Sequence, residues 1–310
     1  MPNILKHPSA TSTKLLFIGE SGAGKTGALC SLAAAGYKLR ILDMDNGVEL
    51  IKDYLSNPNS PYVKQNPDCW KNVEYRIITD VTKSSIGKVI CTQATAWPTM
   101  LRMLNEWKYT SEDGEEINYG KPHEWGSDTI LVIDSLTSAA YAALNYHLAQ
   151  NGALSAARTQ NEARRDIGAA QDYIRGLLAI FKDATMSCNL ILTSQITQVS
   201  ESGMGPQSDE VKKEGESIMG FPAAIGRALS PQIPRYFNTV LQAKVVGTKQ
   251  IITTKTQGDI CTKNTAPLRV KPQYDLATGL ADYFRDVRGN GPSAGGPATS
   301  AAPKIPLKED

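Results

Sequence analysis

Short apolar runs, each closed by a small or polar residue, alternate with amphipathic stretches along most of this chain. Leu15-Leu16-Phe17-Ile18 comes first and runs into Gly19. Lys38-Leu39-Arg40-Ile41-Leu42-Asp43-Met44-Asp45 predicts a second strand ending in carboxylates, with a helix over Val48–Leu55 behind it. Residues 56–73 hold prolines and asparagines without a period and predict a surface loop; Tyr75–Ile78 predicts a short third strand. Trp97-Pro98 opens a helix whose apolar positions Leu101, Leu104 and Trp107 fall at helical spacing, with Pro98 suited to a first turn. Residues 108–127 predict a polar insertion. Asp128–Ser135 and Cys188–Gln195 are strands apolar enough to be buried on both faces. Between them lie helices over Ser138–Gln150 and Asn161–Asp183. The second carries one stripe of Ile167, Ala170, Ile174, Leu177, Leu178 and Phe181, with its arginines mostly off that stripe on a solvated face. Strands that alternate with helices in this way predict an α/β fold built on a mostly parallel sheet.

Charge adds little to that picture. A net charge of +2 across 310 residues creates no global field that would mark a nucleic-acid partner. Five scattered cysteines, with no C-x-x-C pair, fit neither a disulfide framework nor a zinc site. They fit a reducing compartment, so a cytoplasmic location is expected. No run approaches the ~18 apolar residues of a membrane span, and no signal-peptide core precedes the first strand.

Candidate chemistry changes the picture more. Gly19-Glu20-Ser21-Gly22-Ala23-Gly24-Lys25-Thr26 stands between the first strand and a helix-forming run, Ala28–Ala35, with the spacing G-x-x-x-x-G-K-T. The glycines let the backbone wrap a polyphosphate with its N–H groups turned inward. Lys25 can reach the β- and γ-phosphates, Thr26 can ligate Mg²⁺, and the helix N-terminus adds its positive end. ATP or GTP is the expected ligand. Downstream, Ile130-Leu131-Val132-Ile133-Asp134 places a carboxylate at the C-terminal edge of a buried strand, where parallel sheets hold ligands and where it can carry the Mg²⁺ shell. An aspartate that merely caps the helix from Ser138 has the same pattern.

In their order, the phosphate loop, the strand ending Leu42-Asp43-Met44-Asp45, the strand ending Asp134 and the strand ending Thr193-Ser194-Gln195 resemble the RecA-like ATPase core, over roughly residues 13–270. The resemblance implies that the second strand delivers the carboxylate that activates the attacking water. Asp45 stands at that position, where the recombinases usually carry glutamate, and Asp43 is the alternative. It also implies that Gln195 senses the γ-phosphate and passes its state to a DNA-binding loop. Within that group the chain most resembles compact phage-type ATPases that act as single-strand annealing recombinases. Leu42–Gly47, Ala224-Ile225-Gly226-Arg227-Ala228-Leu229-Ser230-Pro231 and Pro234-Arg235-Tyr236-Phe237 carry that likeness. It implies Mg²⁺-dependent ATP hydrolysis, a homo-oligomer (ring or filament), and annealing or pairing of single-stranded DNA.

Residues 199–222 sit where such proteins keep their DNA loop, yet they hold five acidic residues against Lys212 and Lys213. An acidic loop binds phosphate poorly, and a plain surface loop fits equally. The segment about 224–275 reverses the balance, with eight basic residues against Asp259 and Asp275. Within it Phe237–Val246 and Lys249–Lys255 predict a β-hairpin around Gly247-Thr248. Lys255 and Lys263 resemble the basic end with which RecA-like protomers touch ATP on a neighbour. Lysines that keep an edge strand from aggregating account for Lys244 and Lys249 as well.

A short helix begins in Gly279–Phe284, so a core over 1–288 is expected. Beyond it, 289–310 forms a Gly/Pro/Ser-rich tail whose composition cannot bury enough to stay ordered. The tail ends in Lys304-Ile305-Pro306-Leu307-Lys308-Glu309-Asp310. That layout suits a tether with a docking peptide for a single-strand-binding protein, or a solvated terminus.

Other nucleotide enzymes lack their marks here. A GTPase would need Asp-x-x-Gly after the Asp134 strand, but residue 137 is Thr, and no N-K-x-D base reader is present. The cassette signature L-S-G-G-Q is absent, and residues 108–127 make a poor kinase lid. An ATPase coupled to DNA is the expectation. A nucleotide-gated scaffold that recruits a replication partner is the alternative, and stimulation of hydrolysis by DNA would separate the two.

Overall fold

The computed structural model describes residues 12–85, 88–111, 113–183, 185–200, 218–256 and 258–288. Strand β1 (Lys14–Gly19) leads through the glycine loop into two short helices, α1 (Lys25–Ala28) and α2 (Cys30–Ala34). Next come β2 (Lys38–Asp43), α3 (Glu49–Ser56), α4 (Pro61–Gln65) and β3 (Val73–Ile77). A hairpin of β4 (Val81–Ser85) and β5 (Lys88–Gln93) precedes α5 (Ala96–Asn105), and a second hairpin joins β6 (Lys108–Thr110) to β7 (Glu116–Asn118). Then follow β8 (Thr129–Asp134), α6 (Leu136–Gln150), α7 (Gln160–Lys182) and β9 (Asn189–Ser194). The chain closes with β10 (Ile196–Ser200), β11 (Ile218–Pro222), β12 (Thr239–Val246), β13 (Lys249–Thr253), β14 (Gln273–Asp275) and α8 (Leu276–Arg288).

Eight strands form the central sheet in the order β14-β13-β12-β1-β9-β8-β2-β3. From β12 to β3 all neighbours are parallel; β13 and β14 are added antiparallel at one edge. This is the RecA-like P-loop arrangement, with the expected C-terminal hairpin formed by β12 and β13 around Gly247-Thr248.

Because side chains alternate along a strand, the sheet divides its apolar residues between two layers. Leu16, Ile18, Leu42, Leu131, Ile133, Leu190 and Leu192 face α5, α6 and α7. Leu15, Phe17, Leu39, Ile41, Ile130, Val132 and Ile191 face α1, α2, α3 and α8. One registered row, Leu16–Leu192–Ile133–Leu42, crosses four strands on the first face. Burial on both faces is why these strands read as continuous apolar runs.

Several helix boundaries follow local chemistry. Thr159 and Glu162 close a capping box at the start of α7. The Ser135 hydroxyl accepts from the Ser138 N–H at the start of α6, so Ser135, not Asp134, is the cap. The α7 stripe is buried as predicted from Ala170 to Phe181, with Ile167 partly buried.

Four expectations change. Residues 56–73 are not loop throughout, since Ser60 caps α4 with Pro61 in its first turn, and Cys69–Asn72 forms a 3₁₀ turn. In α5 the buried face is Ala96, Trp97, Met100, Met103 and Leu104; Leu101 is exposed, and Trp107 is buried beyond the helix end. The polar insertion folds as the β6–β7 hairpin, held against β3 by Tyr109, whose hydroxyl donates to Glu74 and whose ring lies under Arg76. Helix α8 begins at Leu276, ahead of the expected start, because Leu276, Leu280, Tyr283 and Phe284 continue one buried face. The tail 289–310 and residues 201–217 of the acidic segment lie outside the described residues. The flanks of that segment, β10 and β11, pair as an antiparallel ribbon.

Candidate active site

The glycine loop needs backbone that only glycine adopts easily. Gly24 has φ 86°, and a Cβ there would collide with Leu276. The loop is closed by the Ala23 N–H, which donates to the Glu20 carbonyl at 3.2 Å. Lys25, first in α1, turns its ammonium back onto the Gly19 and Glu20 carbonyls at 2.8 and 3.0 Å. Burial pulls the Lys25 pKa down, while Asp134, Asp45 and Glu20 pull it back up.

The sheet order then decides what meets the loop. β9 lies between β1 and β8, so Asp134 is two strands from the glycine loop. It nevertheless meets Thr26, whose hydroxyl donates to Asp134 Oδ2 at 2.7 Å across the end of β9. Asp134 Oδ1 accepts from Thr193 on β9. The Asp134 side chain is almost wholly enclosed, its residue only 4% exposed. Burial raises its pKa above the usual carboxylate range against the pull of Thr193 and Thr26, and the neighbouring charges of Asp45 and Asp43 push it the same way.

The two carboxylates at the end of β2 part company. Asp43 is 1% exposed and accepts backbone N–H groups from Asp45, Gly47 and Val48 at 3.2, 3.1 and 3.0 Å. That carboxylate builds the loop. Asp45 is exposed and turned toward the cavity, where its Oδ1 accepts from Ser135 Oγ at 3.1 Å and from Ser138 Oγ.

Ser21, Gly22, Gly24, Lys25, Thr26, Asp45, Asp134 and Gln195 line one cavity of about 420 Å³. The sequence motifs therefore converge, with Gly19, Glu20 and Ala23 in the same loop. Lys263 is not brought there. Its ammonium donates to the Pro234 and Phe237 carbonyls at 3.1 and 2.9 Å, and its backbone pairs with Val240. Sequence reasoning missed two walls of the cavity. One is Leu50, Tyr54, Pro61 and Tyr62; the other is Gln250, Leu276 and Ala277. Tyr54 packs edge-on to Tyr62, with centroids 5.7 Å apart, and lies against Gly27 in the first turn of α1. Gln250 donates to the Gly22 carbonyl at 3.2 Å. The Ser60-Pro61 cap signal could have placed Tyr62 on a helix; nothing in the sequence brings Gln250 to the loop.

Gln195 borders the cavity and roots the β10–β11 ribbon. Its carbonyl accepts from the Ala223 N–H at 2.7 Å, and its own N–H points to Thr137 Oγ1 at 3.4 Å. Thr137 in turn donates to the Ala223 carbonyl at 3.2 Å.

Among the described residues no three His, Cys, Asp or Glu side chains gather into a metal cage. A hydroxyl and a carboxylate joined beside a phosphate loop fit Mg²⁺ instead, which keeps water and takes phosphate oxygens for its other positions. Thr26 and Asp134 are the residues that would hold it.

The burial of Asp134 carries a stability consequence. With its native pKa raised, the folded state binds a proton more readily than the unfolded chain, so this group's contribution worsens as pH rises through that interval. Asp134→Asn is expected to melt at a higher temperature than wild type near neutral pH, the gap closing in mild acid, while Mg²⁺-dependent hydrolysis falls. Thermal unfolding at the two pH values, with turnover measured alongside, checks this.

The family model described as AAA domain matches residues 11–266. Among solved structures the chain is similar to the RadB recombinase, with 8% identity and a TM-score of 0.40, covering 87% of this chain and 90% of that one. It is also similar to a prototypical ATPase from the type III secretion system of pathogenic bacteria, with 12% identity and a TM-score of 0.38, over 76% of this chain and 52% of that one. No curated protein matches. Among the described residues no helix is long and apolar enough to cross a membrane, and all five cysteines are free. With a family model matched over most of its length and a phosphate loop meeting a buried strand-end aspartate, this chain belongs to the AAA domain family of P-loop ATPases.

Proposed function

We propose that this protein binds ATP with Mg²⁺, hydrolyses it, and uses that cycle to bind single-stranded DNA and promote annealing or strand pairing. The observation that carries the reading is the convergence of Lys25, Thr26, Asp45, Asp134 and Gln195 on one cavity, with Gln195 bonded directly into the root of a β-ribbon. In this reading Lys25 and the loop N–H groups hold the phosphates, and Mg²⁺ on Thr26 and Asp134 offsets the charge that develops on them. Asp45 orients the attacking water, and Gln195 reports the γ-phosphate to the ribbon. Tyr54 and Leu276–Ala277 flank the side of the loop beyond Gly27 and form the walls for the nucleobase.

The DNA surface falls to the basic segment about 224–275, since Arg227, Lys249 and Lys255 are exposed. Single-strand binding then rests on charge. In a homo-oligomer, ring or filament, the hairpin end would approach a neighbour's ATP. Lys255 is exposed for that role, whereas Lys263 must first leave two carbonyls. The stretch Ile305-Pro306-Leu307 in 289–310, beyond the core 1–288, is the segment we assign to a single-strand-binding protein. The scattered cysteines, with no C-x-x-C pair in the sequence, are our ground for a cytoplasmic setting.

Three measurements test the reading. Lys25→Ala should lose at least about a hundredfold in nucleotide affinity, roughly 2.7 kcal/mol, in an equilibrium binding assay; unchanged affinity or turnover would overturn the ATP site. Tyr54→Ala should weaken ATP by the worth of one stacked base, about 1–3 kcal/mol, and leave inorganic triphosphate binding as it was. Affinity for single-stranded DNA with ATP should fall steeply with salt, and Arg227→Ala or Lys255→Ala should each lower the log–log slope by about 1. Salt-independent binding, or hydrolysis that DNA does not stimulate, would favour the nucleotide-gated scaffold.

A further inference from the structure

Asp45 stands at the rim of the cavity on the loop after β2, followed by Asn46 in the left-handed region at φ 54°. Its own loop is organised by Asp43, which takes three backbone N–H groups there. The Asp45 carboxylate is held from elsewhere, by the first turn of α6. Ser135 and Ser138 both donate to its Oδ1, and Asp45 lines the cavity together with Lys25 and Gln195. Aspartate is a short arm, and an exposed carboxylate on a loop samples several rotamers. Two hydroxyls from one helical turn restrict it to one.

We propose that Ser138, with Ser135, is a positioning residue that aims Asp45 at the attacking water. The inference rests on the assignment of Asp45 to that role. The two serines differ as probes. Ser135 also caps α6, accepting from the Ser138 N–H, so its loss frays the helix. Ser138 lies inside the first turn, where alanine is the better helix former. Losing the Ser138 hydroxyl therefore removes one of the two bonds that hold Asp45 without weakening the helix.

The test uses full-length Ser138→Ala, Ser138→Thr, Asp45→Asn and the double variant, with kcat, KM for ATP and melting temperature measured on each. Ser138→Ala should lower kcat about tenfold with KM within about twofold and no fall in melting temperature. Ser138→Thr, which keeps a hydroxyl, should recover most of the rate. In the Asp45→Asn background Ser138→Ala should cost nothing further, because the group it aims is gone. A slow Asp45→Asn beside a Ser138→Ala of normal kcat would overturn the positioning role alone. Losses that multiply in the double variant would do the same. An Asp45→Asn with normal turnover would overturn the assignment of Asp45 and this inference with it.

Discussion

The contact between Thr26 and Asp134 is the constraint on which the site depends. The strands that carry these two residues are not neighbours; β9 lies between them, so roughly 10 Å of sheet separates β1 from β8. Two short side chains close that gap only above the end of the middle strand, and only if that end is small and polar. Thr193 and Ser194 meet the requirement. Thr193 does more than stay out of the way, since its hydroxyl satisfies the other oxygen of Asp134. A bulky apolar residue in place of Thr193 would leave a buried carboxylate with one side-chain partner, an expensive state in a low-dielectric environment. The polar ending of β9 is thus part of the phosphate site before Gln195 is reached.

The same packing explains the electrostatic balance. Asp134 is enclosed and held toward its neutral form by burial, while Lys25 is held toward its neutral form by the same cause. Asp134 pulls Lys25 back toward its charged form, with Asp45 and Glu20 adding to the field there, while the hydroxyls of Thr193 and Thr26 do the same for Asp134. A polyphosphate with its cation enters a place where fixed charges of both signs already stand. Groups fixed in advance need little rearrangement when charge develops, which is where catalytic sites draw much of their effect.

What could be read from the sequence follows from what each residue's chemistry makes visible. A strand buried on both faces announces itself as an unbroken apolar run, and Gly24-Lys25-Thr26 and Asp134 announce themselves because their neighbours are that regular. Asp43 and Asp45 could not be separated, because both end the same strand; only the three backbone N–H groups on Asp43 show which one is structural. The Tyr54–Tyr62 wall was hidden because α4 is a five-residue helix set among prolines and asparagines, too short for a period to show. In α5 the leucine spacing predicts a stripe through Leu101, whereas Met100 and Met103 carry the buried face, a rotation that leucine positions alone do not reveal. Gln250 reaches Gly22 over more than two hundred positions of sequence, a proximity set by the strand order alone.

One helical turn ties the two halves of the site together. From Ser135 to Ser138 the first turn of α6 presents hydroxyls in two directions. Ser135 and Ser138 hold Asp45, while Thr137 between them accepts from the Gln195 N–H and donates to the Ala223 carbonyl, one residue on each side of the ribbon root. Leu136, in the same turn, is fully buried and anchors it to the core. All three hydroxyls belong to the cap and first turn of one fifteen-residue helix. The bonds that fix the ribbon root and the bonds that fix Asp45 therefore start within four consecutive residues. In this arrangement the carboxylate and the ribbon root are bonded to the same helical turn.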